Sequence, residues 1–128
     1  MQAPERMSET VLVIEDDHSV RNILRVMLEQ SGYAVMEACD GEEGVNVYKV
    51  NGRFIHLVLS DVIMPKKNGR QVYDEIKELD KHAKVLFMSG YSVDVLYNRM
   101  IMEKGFHFIQ KPMKPRELLV KIREMLDT

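Results

Sequence analysis

The sequence predicts an α/β domain built around a parallel sheet of five strands. Five short apolar runs recur along the chain, and most are continuous rather than alternating, which is typical of strands buried on both faces of a parallel sheet. The segments between them carry apolar residues at helical spacing. Strand and helix therefore alternate five times, a pattern that indicates a parallel sheet with right-handed crossovers. The predicted strands contain residues 11–14, 33–36, 57–59, 85–88 and 106–109.

The predicted helices are supported by apolar stripes and by residues suited to helix ends. Asp17 or Ser19, Asp40 and Ser92 stand where N-caps are expected. Three glycines each follow a helical segment, where a left-handed residue often ends a helix; they are Gly32, Gly52 and Gly105. The residues of the three stripes are Val20, Ile23, Leu24, Met27 and Leu28; Val72, Ile76 and Leu79; and Leu118, Leu119, Ile122, Met125 and Leu126.

Length and composition favour one globular domain. The chain has 128 residues, 45% of them hydrophobic and 30% charged, which suits a single core. We assign residues 10–128 to the domain and residues 1–9 to a leader or linker. A net charge of −2 gives no reason to expect direct nucleic-acid binding. No stretch approaches the roughly 18 apolar residues of a membrane span, and the single Cys39 cannot form an internal disulfide, so we expect a cytoplasmic protein.

Chemically useful side chains follow four of the five predicted strands. They are Glu15-Asp16-Asp17 after the first, Ser60-Asp61 after the third, Ser89-Gly90 after the fourth and Lys111-Pro112 after the fifth. An open parallel sheet places its ligand site outside the carboxyl ends of its strands. Clustered carboxylates repel one another and need a cation to offset that repulsion. Because the cluster offers oxygen ligands without nearby cysteine or histidine, Mg²⁺ fits it better than zinc.

Each of these features alone has an ordinary explanation. An acidic pair after a strand can be a helix cap, a single aspartate can be a turn residue, and Ser-Gly and Lys-Pro pairs are common in loops. Their occurrence after four different strands of one sheet is what indicates a functional site.

The combination of motifs closely resembles the receiver domain of bacterial two-component response regulators, over roughly residues 10–127. The motifs that carry the resemblance are Val-Leu-Val-Ile-Glu-Asp-Asp at 11–17, Leu-Val-Leu-Ser-Asp-Val-Ile-Met-Pro at 57–65 with Gly69, Phe-Met-Ser-Gly at 87–90 and Phe-Ile-Gln-Lys-Pro at 108–112. The resemblance implies a flavodoxin-like, doubly wound (βα)5 fold with strand order 2-1-3-4-5.

The resemblance also implies roles for individual residues. Asp61 matches the phosphoacceptor. Glu15 and Asp16 match the acidic pair that holds Mg²⁺, with Asp16 as a direct ligand and Glu15 acting mainly through water. Asp61 and the backbone carbonyl of Ile63 would complete the protein ligands.

Three further positions match residues that respond to the phosphoryl group. Lys111 would pair with Asp61 and later with the phosphoryl oxygens, and Ser89 would donate a hydrogen bond to the phosphoryl group. Phe108 matches the aromatic switch residue, whose rotation would alter the face made by the fourth helix, the fifth strand and the fifth helix.

The expected function is therefore a signalling switch that receives a phosphoryl group from a histidine kinase or a histidine phosphotransfer protein. It would support its own phosphorylation and autodephosphorylation without turning over another substrate. The alternative is an interaction module of the same fold that works without phosphorylation. The residues leave open whether the chain is a stand-alone regulator or part of a hybrid sensor histidine kinase, which partner it controls, and whether it forms a homodimer.

Other functions of similar folds fit less well. A haloacid-dehalogenase phosphatase needs Asp-x-Asp-x-Thr/Val after its first strand, and residues 15–19 do not provide it. A nucleotide-binding protein would have a glycine-rich phosphate loop there, which is also absent.

Two apolar or aromatic residues lead to a hypothesis about signal lifetime. Ile63 lies two positions after Asp61, and Tyr91 lies two positions after Ser89. Both would border the path of water to an acyl phosphate at Asp61. We therefore expect them to slow spontaneous dephosphorylation, unless both are simply exposed loop residues.

Overall fold

The structure, a computed structural model, describes residues 8–99, 101–103 and 105–128, and in this part of the chain five strands alternate with five helices. The strands are β1 (Thr10–Ile14), β2 (Ala34–Ala38), β3 (Leu57–Asp61), β4 (Val85–Ser89) and β5 (His107–Gln110). The helices are α1 (His18–Gln30), α2 (Gly41–Asn51), α3 (Gly69–Leu79), α4 (Val93–Asn98) and α5 (Pro115–Leu126), with a short 3₁₀ helix, Gly52–Phe54, after α2.

The five strands form one parallel sheet in the order β2-β1-β3-β4-β5. This confirms the doubly wound fold and the strand order that the sequence and its resemblance predicted. The register pairs Ile14 with Ser60 and Asp61 with Met88, so the carboxyl ends of β1, β3 and β4 lie at the same edge.

Burial explains why the central strands were easier to predict than the edges. β1 and β4 are buried along their whole length, and β3 is buried up to Asp61, whereas β2 and β5 consist mainly of half-buried and exposed positions. The apolar run at 33–36 therefore marks only part of β2, which begins one residue later and continues through the polar Glu37 to Ala38.

The core consists of two apolar layers, one on each face of the sheet, because successive strand residues point to opposite faces. One layer packs beneath α2, α3 and α4 and includes Leu12, Val58, Val72, Ile76, Phe87 and Leu96. The other packs beneath α1 and α5 and includes Val13, Leu24, Leu28, Leu59, Leu118 and Ile122.

The helical stripes are mostly confirmed, with two exceptions at their margins. Ile23 is 65% exposed and Leu79 is 49% exposed, although both were predicted to share a buried face. Leu24 and Leu28 point from α1 to the sheet, and Ile23 lies on the flank of that stripe. Leu79 is the last residue of α3, beyond the part of the helix that covers the sheet.

The predicted helix ends are partly wrong. Asp17, Asp40 and Ser92 are N-caps, and Gly32 has φ +94° just after α1. Gly52 instead has a right-handed φ of −51° and continues the chain into the 3₁₀ helix. α4 ends at Asn98, so Gly105 lies in the segment before β5 and does not end a helix.

Most of the predicted leader, residues 1–7, lies outside the described residues. Glu9 is described, and its carboxylate pairs with both terminal nitrogens of Arg123 on α5 at 2.8 and 3.0 Å. The boundary between leader and domain at residues 9 and 10 stays a prediction. None of the helices in the described part of the chain has the length and apolar character needed to cross a membrane.

Candidate functional site

Three carboxylates meet at the carboxyl edge of the sheet. Glu15 and Asp16 follow β1, and Asp61 ends the neighbouring β3, so the parallel register brings them together. One carboxylate oxygen from each residue lies within 4.8 Å of the others. Glu15 is buried, Asp61 is half-buried and Asp16 is exposed, so the cluster is open to solvent on one side.

Lys111 supplies the positive charge that faces this cluster. Its Nζ lies 2.8 Å from Oε1 of Glu15 and 3.3 Å from Oδ2 of Asp61. Its backbone N–H donates to the carbonyl of Ser89 at 2.7 Å, which fixes the start of the loop after β5. Burial alone would lower the pKa of Lys111, but the hydrogen bond to Glu15 and the charges of Asp61 and Glu15 raise it overall. The ammonium is therefore fully charged at neutral pH.

The charge balance of the site favours a bound cation. Three carboxylates against one ammonium leave a formal charge of −2. Although Asp16 is exposed, partial desolvation raises its pKa, and the hydrogen bond with Glu15 and the charge of that carboxylate raise it further. The clustered ligand atoms are all carboxylate oxygens, the donors that hard divalent cations such as Mg²⁺ prefer.

The turn between β1 and α1 is held by contacts that the sequence reasoning missed. Arg21 on α1 donates from Nη1 to the carbonyl oxygen of Glu15 at 2.8 Å, and its Nε lies 3.5 Å from Glu37 on β2. The carboxylate of Glu15 accepts from the backbone N–H of Asp17 at 3.1 Å, and Asp17 in turn caps α1 through the N–H of Val20. Arg21 thus fixes the backbone that carries the acidic pair. In the sequence, the only sign of this contact is a basic residue in the first turns of α1, close to the end of β1.

The start of the loop after Asp61 is equally constrained. Oδ1 of Asp61 accepts the N–H of Val62 at 2.8 Å, and the carbonyl of Val62 accepts the N–H of Gly69 at 2.7 Å. The helix α3 therefore begins directly against the end of β3. A Cβ on Gly69 would lie 2.9 Å from both the carbonyl oxygen of Asp61 and the Cα of Val62, and 3.0 Å from the ring of Phe87.

We expect Gly69→Ala to destabilise the domain by about 1 to 3 kcal/mol, because the new methyl group meets backbone atoms that cannot easily move. Urea unfolding measures the change, and Gly90→Ala is the matched control. A Cβ on Gly90 would meet no atom within 4 Å, so its effect should stay within about 0.5 kcal/mol. Equal stability of the two variants would show that the approach of α3 to β3 is not tight.

Ser89, Tyr91 and Phe108 are not members of the carboxylate cluster. Ser89 is buried at the end of β4, and its Oγ accepts the backbone N–H of Tyr91 at 3.0 Å. The ring of Tyr91 is exposed, with the guanidinium of Arg99 at 5.6 Å from its centroid. Phe108 is half-buried on β5, opposite Phe87 of β4, and packs against the core layer beneath α3. The structure brings the predicted acidic residues and Lys111 together, and it places Phe108 on the neighbouring strand.

Comparison with known families decides the assignment. Residues 11–123 match the model of the response regulator receiver domain. The chain belongs to this family. Receiver domains are phosphorylation-based signalling modules of two-component systems.

Two proteins with similar sequences differ in how much of their own length this chain covers. The chain is 32% identical to the sensor kinase CckA of Brucella abortus over 94% of its own length, but this is only 13% of that kinase. It is also 32% identical to the chemotaxis protein CheY of Treponema pallidum, covering 98% of this chain and 88% of that protein.

Solved structures agree with the fold. A receiver domain from the hybrid histidine kinase CckA has a TM-score of 0.78 at 32% identity, covering 91% of this chain and 98% of that one. A receiver domain protein of Clostridium thermocellum has a TM-score of 0.84 at 27% identity, covering 93% and 94% of the two chains.

Proposed function

We propose that this receiver domain accepts a phosphoryl group on Asp61 in a Mg²⁺-dependent reaction. The phosphodonor would be the phosphohistidine of a histidine kinase or of a histidine phosphotransfer protein. The observation that carries the proposal is the position of the Asp61 carboxylate, which clusters with an acidic pair and has an ammonium 3.3 Å from its Oδ2.

Glu15, Asp16 and Asp61 are the side chains that would hold Mg²⁺, together with the backbone carbonyl of Ile63. When bound, the ion would neutralise charge on the transferred phosphoryl oxygens. Support comes from a structural relative of this chain, the CheX–CheY complex with BeF₃ and Mg²⁺ from Borrelia burgdorferi. The matched chain of that complex has a TM-score of 0.80 and is 29% identical to this chain. The match covers 91% of this chain and 87% of the other.

For the transfer itself, the protein needs mainly to position the reacting groups and to neutralise the charge of the phosphoryl oxygens. An oxygen of Asp61 would form a bond to phosphorus as the P–N bond of the donor histidine breaks, and the electron pair of that bond stays with the imidazole nitrogen. A carboxylate is ionised at neutral pH, so no general base is needed. The N–H of Val62 holds Oδ1 of Asp61 at 2.8 Å, which limits rotation of the nucleophile.

The phosphorylated site would differ from the free site mainly in charge. The carboxylate carries one negative charge, and an acyl phosphate adds roughly one more. Lys111 would keep contact with the new oxygens, and the hydroxyl of Ser89 would turn toward them and donate a hydrogen bond. Movement of Ser89 would allow Phe108 to rotate, which would change the surface formed by α4, β5 and α5 for a partner.

The direct test is incubation with Mg²⁺ and acetyl phosphate, followed by intact mass. We expect one phosphoryl adduct on the wild-type chain and none on Asp61→Asn. Asp94→Asn is the matched control, because Asp94 is exposed on α4, and it should carry the adduct like the wild type. Chelation of Mg²⁺ should prevent the adduct.

The same experiment separates the alternatives. A wild-type chain that never acquires the adduct would favour the interaction module that works without phosphorylation. An adduct that survives Asp61→Asn would show that another residue is the phosphoacceptor.

The upstream partner follows from the same proposal. Because the chain spans 13% of the CckA sensor kinase and 88% of a CheY, both a receiver of a hybrid kinase and a stand-alone regulator fit it. The full reading frame distinguishes the two: a kinase region in the same chain identifies the first arrangement. Residues 10–128 would be the receiver in either case.

Ile63 and Tyr91 are proposed to set the lifetime of the acyl phosphate. Both are loop residues whose side chains are 42% and 46% exposed, and the proposal is that these side chains hinder water from reaching phosphorus in line. We expect Ile63→Asn and Tyr91→Lys each to accelerate dephosphorylation several-fold, measured as loss of the adduct after removal of acetyl phosphate.

Matched substitutions elsewhere provide the control for this lifetime experiment. Val120 on α5 is 49% exposed and Tyr97 on α4 is 39% exposed. Val120→Asn and Tyr97→Lys therefore make similar replacements of exposed side chains on helices away from Asp61. Unchanged decay in both rim variants, or equal acceleration in the controls, would contradict the proposed role.

A further inference from the structure

The main chain of Glu15 is held on both sides at the carboxyl edge of the sheet. Its N–H donates to the carbonyl of Ala38, the last residue of β2, at 3.1 Å. Its carbonyl oxygen accepts Nη1 of Arg21 at 2.8 Å. This carbonyl belongs to the peptide unit that leads into Asp16, and a peptide unit is planar. The bond from Arg21 therefore fixes the plane from which Asp16 begins.

The guanidinium of Arg21 is itself held in place. Its Nε lies 3.5 Å from Oε1 of Glu37 on β2, and 17% of the side chain is exposed. Arg25, one turn later on α1, is 34% exposed. Because a guanidinium is planar and its donors point in fixed directions, Arg21 links α1, the end of β1 and β2 in one arrangement.

Asp16 depends on this arrangement more than the other two carboxylates of the cluster. A backbone N–H and the ammonium of Lys111 donate to the carboxylate of Glu15, and another backbone N–H and the same ammonium donate to that of Asp61. Asp16 is the exposed member of the cluster. Its side chain is short, so the position of its carboxylate follows the backbone of the turn between β1 and α1.

A Mg²⁺ site is sensitive to small displacements of its ligands. Mg²⁺ needs nearly octahedral ligands at roughly 2.0–2.1 Å, whereas Ca²⁺ accepts longer and more variable distances. Residues that orient a ligand without touching the ion typically change metal affinity by about 10- to 100-fold when they are replaced. Support of the turn that carries Asp16 is therefore expected to matter for Mg²⁺ binding.

We propose that Arg21 is a positioning residue for Mg²⁺, acting through the peptide unit between Glu15 and Asp16. Glu37 would keep the guanidinium in the orientation that this bond needs. The inference rests on the proposed function, because it takes Asp16 as a direct ligand of the ion. It adds to the site two residues, one on α1 and one on β2, that would not touch the ion.

Position and charge predict opposite effects when Arg21 is replaced. A guanidinium beside a carboxylate cluster repels a cation, so loss of the charge alone would strengthen Mg²⁺ binding. Loss of the bond to the carbonyl of Glu15 would instead release the peptide unit and weaken Mg²⁺ binding. The sign of the change in affinity therefore distinguishes the two effects.

The test is calorimetric titration of the full chain with Mg²⁺ and, separately, with Ca²⁺. Potassium chloride at about 0.5 M screens exposed charges that lie more than roughly 5 Å apart, and circular dichroism verifies that each variant is folded. We expect Arg21→Met to bind Mg²⁺ about tenfold or more weakly than the wild type. Its affinity for Ca²⁺ should fall less, because Ca²⁺ tolerates displaced ligands. A general loss of structure would lower both affinities alike.

Arg25→Met is the matched control, because it removes the same group from the next turn of α1. The described contacts of the Arg25 guanidinium are with Asn22, Glu29 and Glu37. Because these contacts lie on the surface of α1 and β2, this variant should keep its Mg²⁺ affinity within about twofold of the wild type.

Two milder substitutions test the link between Arg21 and Glu37. Arg21→Lys keeps the charge but cannot reproduce the fork of donors, so it should weaken Mg²⁺ binding less than Arg21→Met. It also serves as the second variant if Arg21→Met does not fold. Glu37→Gln should weaken binding in the wild-type background and have no further effect in Arg21→Met, because the two side chains act as one unit.

The outcomes separate this inference from the proposed function. A wild-type chain that binds no Mg²⁺ would overturn both. If the wild type binds Mg²⁺, three results would overturn the role of Arg21 alone. They are unchanged or stronger Mg²⁺ binding in both variants at position 21, equal losses for Mg²⁺ and Ca²⁺ in Arg21→Met, and an equal loss in Arg25→Met. None of these measurements requires phosphorylation of Asp61.

Discussion

Lys111→Met is expected to slow phosphorylation of Asp61 by about a hundredfold, the size of effect seen when one preorganised donor to a developing charge is removed. The ammonium lies 3.3 Å from Asp61 and 2.8 Å from Glu15, so it is placed to meet the oxygens of the incoming phosphoryl group. Methionine keeps an unbranched side chain that is one atom shorter and removes the charge and the donors.

The same substitution should strengthen Mg²⁺ binding, because loss of the ammonium makes the carboxylate cluster more negative. The two effects thus have opposite signs, which a general loss of structure would not produce. Calorimetry at fixed ionic strength measures the Mg²⁺ affinity, and intact mass at saturating Mg²⁺ measures the rate of adduct formation.

Lys114→Met is the matched control for this experiment, since Lys114 lies three residues later and its side chain makes no capping bond to α5. It should leave both quantities unchanged. A normal phosphorylation rate in Lys111→Met, or a weakened affinity for Mg²⁺, would refute the assigned role of Lys111.

Phe87→Ala is expected to lower the free energy of unfolding by about 3 to 5 kcal/mol, a large part of the roughly 5 to 15 kcal/mol of a typical domain. Phe87 is fully buried in β4. Its ring lies 5.6 Å from that of Phe106 and 5.8 Å from that of Tyr73, so truncation leaves a cavity between β4, β5 and α3.

Urea unfolding measures this loss, and the slope of the unfolding free energy against urea concentration shows whether the unfolded state has changed as well. Phe54→Ala is the matched control, because Phe54 is 45% exposed at the end of the 3₁₀ helix and should cost about 1 kcal/mol or less. A loss below about 1.5 kcal/mol in Phe87→Ala would mean that the surrounding rings close the cavity.

The sheet was predictable from the sequence because its central strands are buried on both faces. β1, β3 and β4 appear as unbroken apolar runs, and their order along the chain places Asp61 and the acidic pair at one edge. The position of that edge is therefore predictable from the sequence. The roles of its residues came from the resemblance to receiver domains.

Features that depend on partial burial were harder to predict. β2 is an edge strand, so its polar Glu37 interrupts the apolar pattern before the strand ends at Ala38. α4 has only six residues, too few for an apolar period to define its end. Ile23 is an apolar residue and yet is exposed. It was predicted to be buried because helical spacing alone does not show how wide the buried face of α1 is.

Contacts between side chains and the backbone left little pattern in the sequence. Arg21 holds the carbonyl of Glu15, and the ammonium of Lys77 is fixed by carbonyls of the segment before β4. Both contacts join residues whose types are common on helix surfaces. Only the arrangement of the helices over the sheet brings these two side chains to the end of β1 and to the segment before β4.

The central claim is that Asp61 is the phosphoacceptor, and chemical mapping of the phosphorylated chain tests it most directly. Borohydride reduces an acyl phosphate to an alcohol and leaves free carboxylates intact, so peptide mass spectrometry after reduction identifies the residue that carried the phosphoryl group. We predict that the aspartate at position 61 alone is converted to homoserine, and only after incubation with both Mg²⁺ and acetyl phosphate. Conversion of Glu15 or Asp16, or phosphate retained on a histidine with position 61 unchanged, would contradict the account.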